Sequence, residues 1–249
     1  MLKKIVSLLA VVSIMAGLLS ACGKTSSDNS VQTRLDELNA QAKKLINQPG
    51  WVHVTEKITY DTDLEDRGVM PKGQVVPLIQ TVDIWYHLND RKLVYEYVWL
   101  MTNQDGELVQ VIVFLNNVIH NLMTTVSTPM NPYSLGPLDH QFSSDVEDYV
   151  TRLKKQPVLK VMDLNGESVA VFTVEEQLET PSTIDDYQQP VTAVRSVAYF
   201  DQGSGLLRRI ERFVTLEDGS ERAFYTNDIT IEIKVQPPQD ILDYTNRIW

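Results

Sequence analysis

The sequence predicts an α+β fold: a strongly curved antiparallel sheet of about ten or eleven strands, an open half-barrel, with helices covering the concave face. Three observations lead there. Two stretches with helical periodicity and capping-box spacing each stand before a long series of period-two segments. The dipeptides Asn89-Asp90, Asp105-Gly106, Asn116-Asn117, Asn165-Gly166 and Asp218-Gly219 punctuate those segments as hairpin turns. An antiparallel sheet of that many strands must curl or split, and a helix with an apolar stripe needs a surface to bury it against.

The first residues are excluded from the fold. Met1-Leu2-Lys3-Lys4 is a short positive start, Ile5 to Leu19 is an apolar run too short for a good membrane span, and Ser20-Ala21 are small. That combination is an export signal. Leu19-Ser20-Ala21-Cys22 resembles the lipobox of bacterial lipoproteins, in which the cysteine thiol receives a diacylglyceryl group and the leader is cleaved just before it. The resemblance implies a signal peptide over 1–21, a lipidated tether over 22–32, and an anchor on the extracytoplasmic face of a membrane. Cys22 is the only cysteine in the chain, so an acylated Cys22 leaves a domain with neither disulfides nor thiolate ligands. Two acyl chains hold stably where one holds only reversibly, since each buried methylene contributes about 0.8 kcal/mol.

Cleavage would leave 228 of the 249 residues, enough for one well-buried domain over 33–249. Loss of Lys3 and Lys4, with no acid lost, moves the formal charge from −11 to −13. Such acidity argues against nucleic acid and against charge-driven docking on anionic lipid, both of which need clustered Lys and Arg. Gly23 to Gln32 is small and polar, with nothing to bury.

A helix is expected from Thr33, where Thr33 and Asp36 have capping-box spacing, with Leu35, Leu38, Ala42, Leu45 and Ile46 on one stripe before Pro49-Gly50. Strands follow. After a first strand in "GWVHVTEKITY" and a long loop from Asp61 to about Ile79, four strands are expected near 80–88, 91–103, 107–115 and 118–125, joined by two-residue turns; a four-residue loop centred on the first turn would shorten the ladder but keep the same faces. Register then places Leu93, Tyr95, Tyr97, Trp99, Met101, Ile112, Phe114 and Met123 on one face, and Asp83, Trp85, His87, Glu96 and His120 on the other, among several valines. A second helix is expected between Ser144 and Pro157. Strands then resume through "PVLKVMDL" and "ESVAVFTVEEQL" to "DITIEIKV", whose Ile229, Ile231, Ile233 and Val235 alternate strictly.

This order, together with "YFDQGSGLLRRIE" (199–211) and the exit "VQPPQDI", resembles the Lol-type lipoprotein-carrier superfamily over roughly residues 33–243. The resemblance to that LolA/LolB-like group implies an open half-barrel, plugged by helices, around an apolar cavity. It implies a lipid or similar apolar ligand and no catalytic residue. This chain departs from the soluble periplasmic carriers in having its own lipobox, and resembles the anchored, lipid-binding or envelope-regulatory members more closely.

The residues themselves carry no catalytic signature. There is no H-E-x-x-H, G-x-S-x-G, G-x-G-x-x-G or P-loop, and His53, His87, His120 and His140 lack ligand spacing, so no metal and no cofactor beyond the covalent diacylglycerol is expected. "DTDLEDRG" (61–68) reads as a solvated loop, since its glycine is in the eighth position where a calcium loop needs it in the sixth. Arg208, Arg209 and Arg212 read as the solvent side of a strand. Tyr95, Tyr97, Trp99, Met101, Ile112, Phe114 and Met123 are the candidate cavity lining, because aromatics and methionine offer adaptable apolar surface with few fixed hydrogen-bond demands. The expectation is a non-enzymatic, membrane-anchored lipid binder. An envelope sensor or regulator acting through a protein partner is the alternative.

Overall fold

Alternating burial along long segments builds one sheet of eleven strands. The computed structural model describes residues 28–60, 79–129, 158–164, 166–182 and 190–248. Cys22, the 61–68 loop, Asn165 and the helix expected from Ser144 lie outside the described residues. The strands are β1 (Gly50–Tyr60), β2 (Ile79–Leu88), β3 (Val94–Thr102), β4 (Leu108–Leu115), β5 (Val118–Asn121), β6 (Val126–Pro129), β7 (Val158–Leu164), β8 (Glu167–Ser182), β9 (Val191–Asp201), β10 (Leu207–Leu216) and β11 (Glu221–Ile233). They pair in the order β6-β5-β4-β3-β2-β1-β11-β10-β9-β8-β7, and each pair between neighbours is antiparallel. Two meanders therefore meet at a central seam, where Val52 pairs with Ile233 and Tyr60 with Tyr225. The sheet is curved and not closed, since β6 and β7 end it on opposite sides.

Turn chemistry sets the register, and it differs in part from the sequence expectation. Asn116 and Asn117 both have positive φ, 53° and 63°, which makes the β4–β5 connection the two-residue type I′ turn expected there. Asn89-Asp90 and Asp105-Gly106 instead open longer loops. The Asn89 side-chain oxygen accepts from the backbone N–H of Arg91 and Leu93, and Lys92 takes φ 63°. Asn103 does the same for Asp105 and Glu107, with Gly106 at φ 78°. The first loop has a consequence for faces: Leu88 pairs with Val94 while His87 pairs with Glu96, so Tyr95 is the extra residue of a bulge. From Glu96 to Met101 the expected faces hold; before Glu96 they are inverted, and Val94 enters the core in place of Leu93, while a second shift after Met101 pairs Leu108 with Thr102 and takes Leu108 off the face of Ile112 and Phe114. Strand β5 also stops at Asn121, whose side chain caps the N–H groups of Met123 and Thr124 in a four-residue loop.

Helix α1 (Asp28–Ile46) begins five residues before the expected start. Val31 extends the stripe of Leu35, Leu38 and Ile46, all almost fully buried, so the helix continues as long as that stripe has apolar surface to cover. Those residues share one core with Val52, Val54, Ile84, Tyr86, Leu88, Phe172, Phe200, Ile210, Ile229 and Ile231, on what we call the inner face. Each such side chain contributes roughly 1.5–3 kcal/mol on full burial. The helix is seated on the turn between β9 and β10. There Gly205 has φ 73°, and a Cβ would collide with the carbonyl oxygen of Leu38 and lie 3.1 Å from the Ala42 nitrogen. Arg34 also reaches Gln202 of the same turn at 3.5 Å.

A second helix, α2 (Gln239–Asn246), follows Pro237-Pro238 at the exit of β11, where the sequence reading placed only a strand ending. Its Ile241 packs with Trp51, Trp85, Val98, Val111, Val113 and Leu115. These belong to the outer face, so one helix lies against each side of the sheet. Val98, Val111 and Val113, which alternate along β3 and β4 with the inner-face residues Tyr97, Trp99, Ile112 and Phe114, find their cover here.

Candidate ligand-binding face

The inner face beside α1 carries five of the seven candidate lining residues. Register aligns Tyr86, Tyr97 and Phe114 in one row across β2, β3 and β4, and Ile84, Trp99 and Ile112 in the next. Met101 follows, opposite Val82. Tyr97 stacks on Phe114 with centroids 5.4 Å apart and rings 12° from parallel. Phe114 is buried at 2% exposure, whereas Tyr97, Trp99, Met101 and Ile112 are half-buried. Burial raises the pKa of the Tyr97 and Tyr86 phenols, and the nearby Glu56 adds to the effect on Tyr86. Both hydroxyls are therefore neutral over the physiological range.

The other two candidates sit elsewhere. The bulge turns Tyr95 to the outer face, 40% exposed, with its hydroxyl against His87. Met123 is in the β5–β6 loop at 54% exposure. Neither is brought to the others.

A polar row that sequence reading missed crosses the same inner face. Asn227 faces Ile58 on one side and Ile210 on the other, and Arg212 stands between Tyr225 and Ser196. Asn227 is 8% exposed, donates through Nδ2 to the Glu56 carboxylate at 3.0 Å, and keeps a buried Oδ1 that accepts nothing among the described residues. Arg212 is half-buried, with its Nε buried and unpaired among the described residues. This corrects the expectation that Arg208, Arg209 and Arg212 share a solvent face. Arg209 does point outward, to Asp228 at 2.8 Å, and Arg208 approaches Glu167 at 3.8 Å. Arg212, two residues from Ile210 on the same strand, turns inward. The phase was readable: Asn227 is in step with Ile229 and Ile231, and Arg212 with Ile210.

The outer face holds two imidazole–indole stacks. His53 lies 3.9 Å from Trp85, and His87 lies 4.2 Å from Trp51. His53 contacts Asp83 at 3.0 Å and Glu232 at 3.1 Å, and Thr55 donates to the same Asp83 oxygen. His87 contacts Glu96 at 3.0 Å. His120 lies 2.9 Å from Ser127 on the exposed β5–β6 edge, and no carboxylate among the described residues contacts that imidazole. Each of these imidazoles has a structural partner among the described residues. Among the described residues no three His, Cys, Asp or Glu gather as a metal site, and no helix is long and apolar enough to cross a membrane.

No family model matches the chain, and no curated protein matches it. Solved structures align over most of its length. The Mycobacterium tuberculosis lipoprotein LppX is 13% identical with a TM-score of 0.42, over 83% of this chain and 95% of that one. A LolA superfamily protein from Nitrosomonas europaea is 10% identical with a TM-score of 0.32, over 84% and 98%. A beta-barrel-like protein of domain of unknown function DUF1849 from Brucella abortus is 12% identical with a TM-score of 0.24, over 75% and 98%.

Proposed function

We propose that this chain is an extracytoplasmic lipoprotein, anchored through a diacylglyceryl group on Cys22, that binds or transfers a lipid or similar apolar molecule on the inner face of its curved sheet. The observation that carries the reading is the half-buried patch of Tyr97, Trp99, Met101 and Ile112. These residues face the same side as a well-packed core, yet stop short of core burial. Large apolar side chains left partly covered on a curved surface suit a flexible acyl chain, which asks for contact area rather than directed hydrogen bonds.

The test is to purify the chain, extract it with organic solvent, and look for stoichiometric non-covalent lipid by mass spectrometry, then titrate the stripped protein with an apolar fluorophore. Lipid should co-purify and Trp99 emission should respond to the probe. Trp99→Ala should weaken probe binding and lower stability by less than the roughly 3–5 kcal/mol typical of emptying a packed aromatic site. No lipid, no response and a full-sized stability loss would instead favour a packed face and a sensor acting through protein contact.

A further inference from the structure

The polar row on the inner face is hard to account for as structure alone. A guanidinium nitrogen withdrawn from water costs free energy unless an acceptor replaces the water; Arg209 meets that demand with Asp228 at 2.8 Å, while Arg208 keeps a buried Nε with only a 3.8 Å approach to Glu167. Half-buried Arg212 lacks even that: among the described residues it makes no hydrogen bond or ion pair, and its Nε is buried. One diagonal step away, Asn227 has the complementary deficit. Its amide group is oriented by Glu56, because a carboxylate oxygen takes the Nδ2 donor, and this leaves Oδ1 buried with no donor. Diagonal neighbours on adjacent strands stand roughly 7–8 Å apart, within reach of long side chains. Ser196, 8% exposed, flanks Arg212 on the other side with a hydroxyl able to donate.

Position matters as much as chemistry. Arg212 lies six residues along β10 from Leu206, roughly 20 Å at 3.3 Å per residue, and so well away from the turn that seats α1. Four inter-strand spacings separate β10 from β3, roughly 19 Å of sheet at about 4.8 Å each. Trp99 shares the row of Ile84, Val54 and Ile231, six residues along the strands from the row of Arg212, so the diagonal between Arg212 and Trp99 is roughly 28 Å; an acyl chain filling roughly 15 Å, half of a bilayer's 30 Å hydrocarbon core, covers about half of it.

We propose that Arg212 and Ser196 bind the anionic oxygen group, phosphate or carboxylate, of an amphiphile whose acyl chain runs along the inner face toward Trp99, while Asn227 Oδ1 accepts a hydrogen bond from a hydroxyl or ammonium of the same head. The inference rests on the lipid-binding reading and narrows it from apolar molecules to anionic amphiphiles. A guanidinium meets such oxygens through paired N–H donors, and charge-assisted hydrogen bonds are about twice as strong as neutral ones.

The full chain, purified in a mild non-ionic detergent, is titrated at pH 8 with pyrene-labelled hexadecanoic acid, with its methyl ester, and with inorganic phosphate as competitor. The acid should bind at least about tenfold more tightly than the ester, the size expected from hydrogen bonds to a charged group. Arg212→Gln should bring the acid down to the level of the ester and leave the ester unchanged, while Arg212→Lys should retain part of the preference. Equal binding of acid and ester by the wild-type chain overturns the headgroup site and leaves the lipid-binding reading standing. Failure of both probes to bind overturns that reading and the inference with it. Inorganic phosphate that binds at Arg212 without any preference for acid over ester assigns the site to a free anion, and likewise overturns the proposal. The acid–ester comparison needs no variant, so it decides even if Arg212→Gln does not fold.

Discussion

His53 lies flat against Trp85 with a carboxylate at each ring nitrogen, which ties its protonation to the stability of the fold. Burial by itself would lower its pKa, but hydrogen bonds and charge from Asp83 and Glu232 outweigh burial, and the net shift is upward from 6.5. The sign follows from linkage. A group held charged by the fold stabilises it below its unfolded pKa, and that contribution fades as pH rises through the folded value. Asp83 has the reverse sign: its pKa is lowered chiefly by the hydrogen bond from His53, so its contribution is present above 3.8 and lost in acid. Unfolding free energy, measured by chemical denaturation, is therefore expected to fall as pH rises from 6.5 through the raised folded value, and His53→Gln should flatten that slope. An unchanged slope in the variant would remove the His53 pair as its cause. Alternation put Asp83, Trp85, His87 and Glu96 on one face, but their partners on β1 and β11 were not legible, since four scattered histidines had no spacing to join them and the stacks depend on the register between β1 and β2.

Between elements, the contact that most constrains the architecture is that of α1 on the β9–β10 turn. Gly166 and Gly205 both have positive φ, 87° and 73°, but only Gly205 has backbone in the space a Cβ would take. Replacing either with alanine costs about 1 kcal/mol for conformation. Gly205→Ala must also push Leu38 and its helix off the turn, so its loss should exceed that of Gly166→Ala by more than about 2 kcal/mol in denaturant midpoints converted to free energy. Similar losses at the two sites would mean that α1 is not seated there. The turn itself, Asp201 to Leu206, was readable as a turn in the sequence, but its role as a seat was not, because nothing local says which element will lie on it. The bulge at Tyr95 was hidden for a related reason: Asn89-Asp90 is a good two-residue turn signal, and only the side-chain caps of Asn89 select the longer loop. The inner-face positions beyond the bulge followed from alternation alone, which is why Tyr97, Trp99, Met101, Ile112 and Phe114 were found together and Tyr95 was not.

For the molecule as a whole, the sheet, its approximate strand number and its two-meander order were legible, since period-two alternation and turn dipeptides are local signals that survive without knowledge of partners. The seam between β1 and β11 and the helix on the outer face were not, because both depend on segments far apart in sequence. The proposed anchor is a property of the whole chain too. Cys22→Ser should leave a precursor that is neither acylated nor processed, checked by intact mass and by incorporation of labelled fatty acid. Equal label on the variant and the wild type would refute the lipobox assignment.

The seam has one more consequence, for the order in which the protein acquires its structure. The Glu56–Asn227 hydrogen bond across it joins residues 171 positions apart. Among the described residues every other strand pair joins sequence neighbours, so the β1–β6 meander can form early, while the pair at the centre must wait for β11. Contacts of such long range close the largest loop and are formed slowly. A chain appearing from its N-terminus therefore carries β1 as an open edge until β11 arrives, and the last strand synthesised converts two separate half-sheets into one.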